Sequence, residues 1–291
     1  MNDRCLVCDS TDLEKLVRMF SKFLPRIWRW TAVCRQCGHV QLFPLFTEDE
    51  VETINEKFFL GKYVVGDNLS ANKARKLEKL GSHLDKFIKN GMNVLDIGSG
   101  EAWALDYFSQ HSSNYFAIES IDKFREYVKS SGGKVIGRDI DGDYSEYTDF
   151  FDIIVIRHLI EHLLNPIQVL KLASQLVKSS GTVFVACPNA SHFSTKGGFR
   201  TSFLRPVHIS YFSLDNLVRV GKSAGLECIS SSANGELNCF FRCRDEKKGS
   251  DHRSGLNHYY EVKKLYNKML RENLFQDLVK ISKIYLRRII K

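Results

Sequence analysis

The stretch Val94–Ala102, VLDIGSGEA, decides how the rest of the chain is read. Val94, Leu95 and Ile97 form a short apolar run of the kind buried on both faces of a parallel sheet, with Asp96 near its end. Gly98 and Gly100 then allow a tight turn in which the backbone comes close to a ligand. EAWALDYFSQ (101–110) follows with a helical pattern. Strand, glycine turn and helix in this order predict the first βα unit of a parallel sheet.

The flanking sequence repeats that alternation. NYFAIES (114–120) reads as a second strand and IDKFREYVKSSGG (121–133) as a helix stopped by glycine. KVIG (134–137) is a short third strand and FDIIVIR (151–157) a strongly apolar fourth. HLIEHLLNPIQVLKLASQLVKSSG (158–181) reads as helical throughout, and TVFVACP (182–188) as the next strand. SLDNLVRVGKSAG (213–225) is a helix, and LECISSS (226–232) and ELNCFFRCR (236–244) are strands joined across Asn234-Gly235, a tight-turn pair. The pattern predicts an α/β fold, a Rossmann-like doubly wound seven-stranded sheet closed by an antiparallel hairpin.

Three carboxylates follow the first three strands. Glu119 lies 19 residues after Gly100, placed to accept hydrogen bonds from ribose hydroxyls, Asp96 ends the first strand, and Asp139 follows the third. A nicotinamide dinucleotide site prefers G-x-G-x-x-G, and Trp103 occupies the third glycine position. The combination resembles the class I S-adenosylmethionine-dependent methyltransferases over roughly residues 70–245. DIGSG (96–100), AIES (117–120), GRDI (137–140), FDIIVIRHLIEHLLNP (151–166) and GTVFVACPN (181–189) carry the resemblance. It implies that Asp96, Gly98 and Gly100 face the methionine part of the cofactor, that Glu119 binds ribose, and that Asp139 and Ile140 lie near adenine. The family's further small glycine is replaced here by Ala102.

RHLIEHLLNP (157–166) contains His158, Glu161 and His162 as H-x-x-E-H, which on a helix would put both histidines on one face, as in inverted zinc metallopeptidases. A peptidase needs a third helical ligand. Glu261 is the available source, and nothing in the sequence leads it back to this site. The string sits just after the fourth strand, where the sheet opens toward substrate, so it reads as a wall of the methyl-acceptor pocket. Methyl displacement from a sulfonium depends mostly on positioning, and a hydroxyl acceptor gains from a general base. His158, then His208 in RPVHISYFS (205–213), then His162 are the candidates, with Tyr211 as an assistant or core residue. The loop NASHFSTKGGFRTSFLRP (189–206) carries Lys196, Arg200 and Arg205 and reads as a basic lid over an anionic acceptor such as a sugar diphosphate.

Four of the eight cysteines form two C-x-x-C pairs, Cys5/Cys8 and Cys34/Cys37. Such pairs predict two knuckles holding a structural tetrahedral Zn2+, with metal supplying folding energy to a module too small for much core. Cys187, Cys228, Cys239 and Cys243 read as ordinary thiols of a reducing compartment.

The expected organisation is a zinc module at 1–42, a helical linker at 43–90, a methyltransferase domain at 91–245 and a basic amphipathic helical tail at 246–291. Thr47 is a candidate helix cap, with Glu48, Asp49 and Glu50 in the first turn. The net charge of +8 is concentrated between Arg242 and Lys291, where 14 Lys and Arg meet 6 Asp and Glu. Residues 256–291 read as one or two amphipathic helices, with Leu265, Leu270, Leu274, Leu278, Ile281 and Tyr285 spaced for a face, and DLVKISKIYLRRIIK (277–291) alternates apolar and basic residues, suited to packing, to dimer contact or to an anionic membrane surface. No apolar run reaches the roughly 18 residues of a membrane span, and no signal-type apolar segment opens the chain, so cytoplasmic location is the expectation.

Zinc module, helical linker and methyltransferase domain in this order resemble bacterial sugar methyltransferases acting on nucleotide-linked sugars or surface polysaccharides, which implies a glycan or small-molecule acceptor. A ribosomal RNA methyltransferase is the alternative, though residues 1–39 carry only seven Lys and Arg against four Asp and Glu. A non-enzymatic scaffold is the third class, and the intact cofactor motif argues against it.

Overall fold

The computed structural model describes residues 4–20, 28–55, 70–102, 104–111, 113–192, 199, 203–205, 207–244 and 255–289. Two sheets organise them. The larger has seven strands in the order β10-β11-β8-β7-β4-β5-β6. Here β4 is Asn93–Ile97, β5 Asn114–Ile118, β6 Lys134–Gly137, β7 Phe151–Arg157, β8 Val177–Pro188, β10 Leu226–Ser232 and β11 Glu236–Cys243. Strands β4 to β8 are parallel, and β11 and β10 close one edge as an antiparallel hairpin. The predicted α/β architecture is therefore observed.

The central strands are apolar on both faces because both are covered. Val94, Ile153, Val155 and Phe184 point toward Leu80 and Leu84 of α2 (Ser70–Leu84) and Tyr107 and Phe108 of α3 (Ala104–Gln110). Their neighbours Leu95, Ile154, Ile156 and Val183 point the other way. They meet Val169, Leu170 and Ala173 of α5 (Pro166–Leu176) and Leu217 and Val220 of α6 (Leu214–Ser223). This alternation is the period-two geometry of a strand buried from both sides. On the remaining edge, α4 (Asp122–Ser130) buries Phe124 and Val128, with Tyr127 half-buried against the same core as Val128.

The smaller sheet is antiparallel, in the order β1-β2-β3-β9, where β1 is Leu13–Phe20, β2 Trp28–Cys34, β3 Val40–Phe43 and β9 Ser210–Tyr211. Its fourth strand comes from the chain beyond β8: Val40 pairs with Tyr211 and Gln41 with Ser210. The other side of this sheet packs on α7 (Gly255–Glu272), with Val17, Met19, Val33 and Leu42 sharing a core with Tyr259, Val262, Tyr266 and Met269. The cysteine-bearing segment thus draws its core from three separate parts of the sequence. Helix α1 (Glu48–Asn55) begins where expected. Thr47 Oγ1 accepts from Glu50 N at 3.2 Å and Glu50 returns a carboxylate oxygen to Thr47 N at 2.9 Å, a reciprocal capping box.

Two expectations fail, both within the stretch 158–181 read as helical throughout. Residues 158–165 are not helical: His158 has φ 52, Ile160–His162 form a single 3-10 turn, and α5 starts at Pro166. Pro166 disfavours helical geometry at Asn165, whose side chain instead caps α5 by accepting from Gln168 N at 3.3 Å. The helix also stops at Leu176, because Val177 already pairs with Phe151 as the first residue of β8. The tail, in turn, divides. Leu265 and Leu270 pack onto the core, whereas Leu274, Phe275 and Leu278 of α8 (Leu274–Ile289) are exposed. No helix among the described residues is long and apolar enough to cross a membrane.

Glu14 of β1 ties this second core together, with Lys263 Nζ at 2.7 Å and the Tyr259 hydroxyl donating to it. The Lys263 ammonium, followed by the Tyr259 hydrogen bond, draws the Glu14 carboxyl down from 4.5 to about 2. A depressed carboxylate stabilises the fold fully above its unfolded value, and that stability is lost as pH falls through the folded one. Replacing Glu14 with Gln should therefore flatten the dependence of the denaturation midpoint on pH between about 4.5 and 2, relative to wild type; parallel profiles would show that the anchor contributes nothing.

Candidate functional site

Strand order reverses at β4, which pairs with β5 on one side and β7 on the other, so their connections leave in opposite directions and open a crevice at the strand ends. The glycine turn lines it. Gly98 has φ 75 and Gly100 φ 53, both in the left-handed region. Nothing lies within 4 Å of where a Gly100 side chain would begin, whereas Leu159 covers Gly98 from the far side at 3.0 Å. Ala102 also has positive φ, 47, and is buried, so the residue replacing the expected glycine holds a conformation glycine favours.

The carboxylates behave differently. Glu119 is buried at the end of β5, its two oxygens accepting from Gly100 N at 2.7 Å and Ile121 N at 2.9 Å. Burial raises its pKa, and those backbone donors oppose the rise. Each oxygen keeps acceptor capacity toward the crevice. Asp96, 5% exposed, is pushed up to about 7 by burial, with the Tyr115 hydroxyl at 2.6 Å pulling the other way. Ser99 Oγ is buried and has no hydrogen-bond partner. Asp139 is exposed after β6, its side chain accepting from Asp141 N at 3.2 Å, and Ile140 is half-buried against the core. A cradle with an open glycine, an unpartnered buried hydroxyl and a ribose-type carboxylate suits an adenosyl group with an amino-acid tail.

Beside this turn lies a cluster of histidines and carboxylates. His158, at the end of β7, places Nε2 at 2.6 Å from Glu236 Oε1 and Nδ1 at 3.3 Å from Glu161 Oε1. Burial opposes its charge, but the two carboxylates prevail and raise it to about 9. Its side chain is 42% exposed, whereas Glu161, His162 and His208 are buried. Burial lowers His208 to about 3 and also lowers His162. Burial would raise Glu161, yet the His158 hydrogen bond and the charges of His162, His158 and His208 together outweigh that and bring the carboxyl to about 2. His162 Nδ1 faces the Val207 carbonyl at 2.7 Å, and Ile209 N donates to Glu161 O at 2.7 Å, so the segment leading into β9 roofs the cluster. Tyr211 is core, its hydroxyl donating to Arg205 O. Arg205 is exposed, and Lys196, Arg200 and Trp103 lie outside the described residues.

Sequence reading did not single out Glu236, because a lone glutamate opening a strand carries no local signal; only the fold brings it to His158, Arg157 and Lys79. Glu161 had a signal in the H-x-x-E-H string but not the helical geometry that string implied.

The four cysteines converge. Cys5 and Cys37 Sγ are 3.6 Å apart, as are Cys8 and Cys34, and all four sulfurs lie within 4.8 Å of one another. A tetrahedral four-thiolate ion with bonds of 2.3 Å sets sulfurs about 3.8 Å apart. The knuckle turns carry Asp9 and Gly38 at φ 60 and 69, and a side chain at Gly38 would meet His258 at 2.6 Å. Asn216 of α6 donates to Cys37 O at 2.9 Å, tying the knuckle to the large sheet's helix layer.

The family model described as "Methyltransferase domain" matches residues 69–231. No curated protein matches the chain. Among similar solved structures is the Burkholderia thailandensis 1,6-didemethyltoxoflavin-N1-methyltransferase with bound 1,6-didemethyltoxoflavin and S-adenosylhomocysteine. It is 16% identical with TM-score 0.51, over 74% of this chain and 96% of that one. A Pyrococcus horikoshii OT3 protein is 15% identical with TM-score 0.51, over 68% and 100%. A Thermotoga maritima SAM-dependent methyltransferase is 14% identical with TM-score 0.51, over 65% and 98%.

The cysteine geometry makes a direct prediction. Cys34→Ser should cost each chain one tightly held zinc ion, measured by elemental analysis, and speed amide exchange in β1 to β3 and β9 while the central strands β4 and β7 stay protected. Undiminished metal content in that variant would rule out the four-thiolate site.

Proposed function

Because the chain belongs to the methyltransferase-domain family, we propose that it transfers a methyl group from S-adenosylmethionine to a hydroxyl of a small-molecule or glycan acceptor, a sugar carried on a nucleotide or within a surface polysaccharide. The observation that carries this reading is the placement of a solvent-reaching histidine, His158, next to the open glycine turn and at the mouth of the strand-order reversal. The donor, when bound, supplies an electrophilic methyl on a sulfonium; the chain supplies position and a proton acceptor.

In this reading Glu119 accepts hydrogen bonds from the ribose hydroxyls, Gly98 and Gly100 let the backbone approach the methionine portion, and Asp96 balances its positive charge. Asp139 and Ile140 border the adenine. His158 takes the acceptor proton, with Glu161 and Glu236 holding the imidazolium that results. A cation bound in the same crevice opposes a second positive charge, favouring the neutral imidazole that a base must offer. His208 and His162, being buried, stand behind it as the second and third candidates. The four-cysteine cluster holds a structural Zn2+.

Separate pools of nucleotide sugars, polysaccharide and RNA, each incubated with methyl-labelled donor, test the acceptor class: label is expected in a sugar pool, and label confined to RNA would replace this reading by RNA methylation. His158→Ala should lower kcat by about 100-fold or more, the range of a lost general base, with donor affinity little changed. Normal turnover would move the role to His208.

Asp96 gives an independent check on the donor site. Its carboxyl titrates at about 7, and an ionised carboxylate holds an ammonium or sulfonium better than its neutral form. Donor affinity measured by calorimetry should rise between pH 6 and 8. Asp96→Asn should bind about tenfold more weakly at pH 8, the worth of one charge-assisted hydrogen bond, and lose the pH dependence. No heat with S-adenosylmethionine or S-adenosylhomocysteine at either pH would end the assignment.

A further inference from the structure

We propose that Glu161, His162 and His208 form a second metal site, for a divalent first-row transition ion, in the wall of the acceptor cleft. One carboxylate oxygen and one nitrogen from each ring lie within 4.8 Å of one another, and all three residues are buried. Glu161 Oε2 is buried with no hydrogen-bond partner, an orphaned carboxylate oxygen in a cluster otherwise made of imidazoles. An unpaired carboxylate oxygen in such a place is costly unless a cation or solvent meets it.

The histidines are arranged as ligands are. A carbonyl oxygen can only accept, so the 2.7 Å contact to Val207 O puts the His162 proton on Nδ1 and makes Nε2, 3.8 Å from Glu161 Oε1, the ring nitrogen that can offer a lone pair. This is the outer-shell contact that orients metal-bound histidines. The His208 ring stands edge-on to that of His162, with centroids 5.0 Å apart and planes at 78°. Donors around an ion with bonds of about 2.1 Å sit about 3.0 to 3.5 Å apart, so the cluster closes on a metal with side-chain shifts of about 1 Å. Two neutral nitrogens and one oxygen from three residues leave further coordination positions, the pattern of sites that bind a hydroxyl or water. Glu161 and His162 come from the loop after β7, and His208 from the segment that enters β9, so the ion would also pin the roof of the cleft.

Under the methyl-transfer reading, which this role requires although binding itself does not, an acceptor hydroxyl on such an ion gives up its proton more readily, and His158 alongside receives it.

Mn2+ tests the site, since the Glu161 carboxylate suits manganese and the thiolates of the cysteine site do not. The full-length protein, with its cysteine-site metal content verified by elemental analysis, is titrated with Mn2+ and free ion is read by electron paramagnetic resonance, without donor or acceptor. One Mn2+ per chain is expected, with Glu161→Gln and His208→Ala each weakening binding at least tenfold. Should those variants fold poorly, pulsed resonance on wild type decides, because two imidazole ligands impose nitrogen couplings on the bound ion. No binding below millimolar Mn2+, equal binding by folded variants, or bound ion without nitrogen coupling would overturn the site. Calorimetry with S-adenosylhomocysteine on the same samples keeps the outcomes apart: donor binding without Mn2+ binding removes the metal and leaves the methyltransferase reading standing.

Discussion

The parallel pairing of β4 with both β5 and β7 is the constraint on which the rest depends. A strand with parallel partners on either side sends its connection one way while its neighbour's goes the other, and a crevice opens between them. Everything assigned to the donor site is hung on that crevice within a few residues of a strand end. The bond from Gly100 N to Glu119 Oε2 spans it, so the turn after β4 and the carboxylate after β5 hold a fixed separation. Arg125 of α4 donates to the carbonyls of Glu119 and Ser120 and fixes the same strand end from behind. These contacts are made within the protein, so the turn and the carboxylate hold each other in place.

The side of the crevice that carries the histidines is built differently, from pieces distant in sequence. Two pairs of residues, Val40 with Tyr211 and Gln41 with Ser210, carry the chain after β8 into the sheet of the cysteine module. The backbone between Val207 and Ile209 is held by that pairing at one end and by His162 and the Glu161 carbonyl at the other. His39, buried beside the second knuckle, reaches Ser210 Oγ at 3.3 Å, and Asn216 reaches the Cys37 carbonyl. A metal held by the knuckles would therefore act at a distance on the cleft: it fixes the edge to which β9 pairs, and β9 places His208.

How much of this was legible in sequence follows from where each signal lives. The glycine turn, Glu119 and the cysteine pairs are local patterns tied to backbone geometry, and they sit where periodicity and spacing placed them. Residues 158–165 misled because LIEHLL has helical apolar spacing, while the deciding residue, Pro166, acts backward on Asn165. The strand pairing of Val177 overrode helix propensity in the same way, through a partner 26 residues earlier. Glu236 and β9 were beyond reach, since two-residue pairing and a lone glutamate gain meaning only from a fold already assembled.

Two charged systems meet at the loop after β7, and their balance shapes what the cleft can do. Glu236 draws in Lys79 of α2 with Arg157 and His158 at the end of β7, so its single negative charge is more than matched. Glu161 lies deeper, shares His158 with Glu236, and otherwise faces two imidazoles that burial keeps neutral. The positive φ of His158 lets one ring bridge both carboxylates: a helical backbone there would carry the side chain along the α5 axis and away from Glu236. The failed helix and the histidine between two carboxylates are thus one feature. Ending β7 in a left-handed residue, in place of the first turn of a helix, gives this crevice a histidine that touches solvent on one side and two carboxylates on the other.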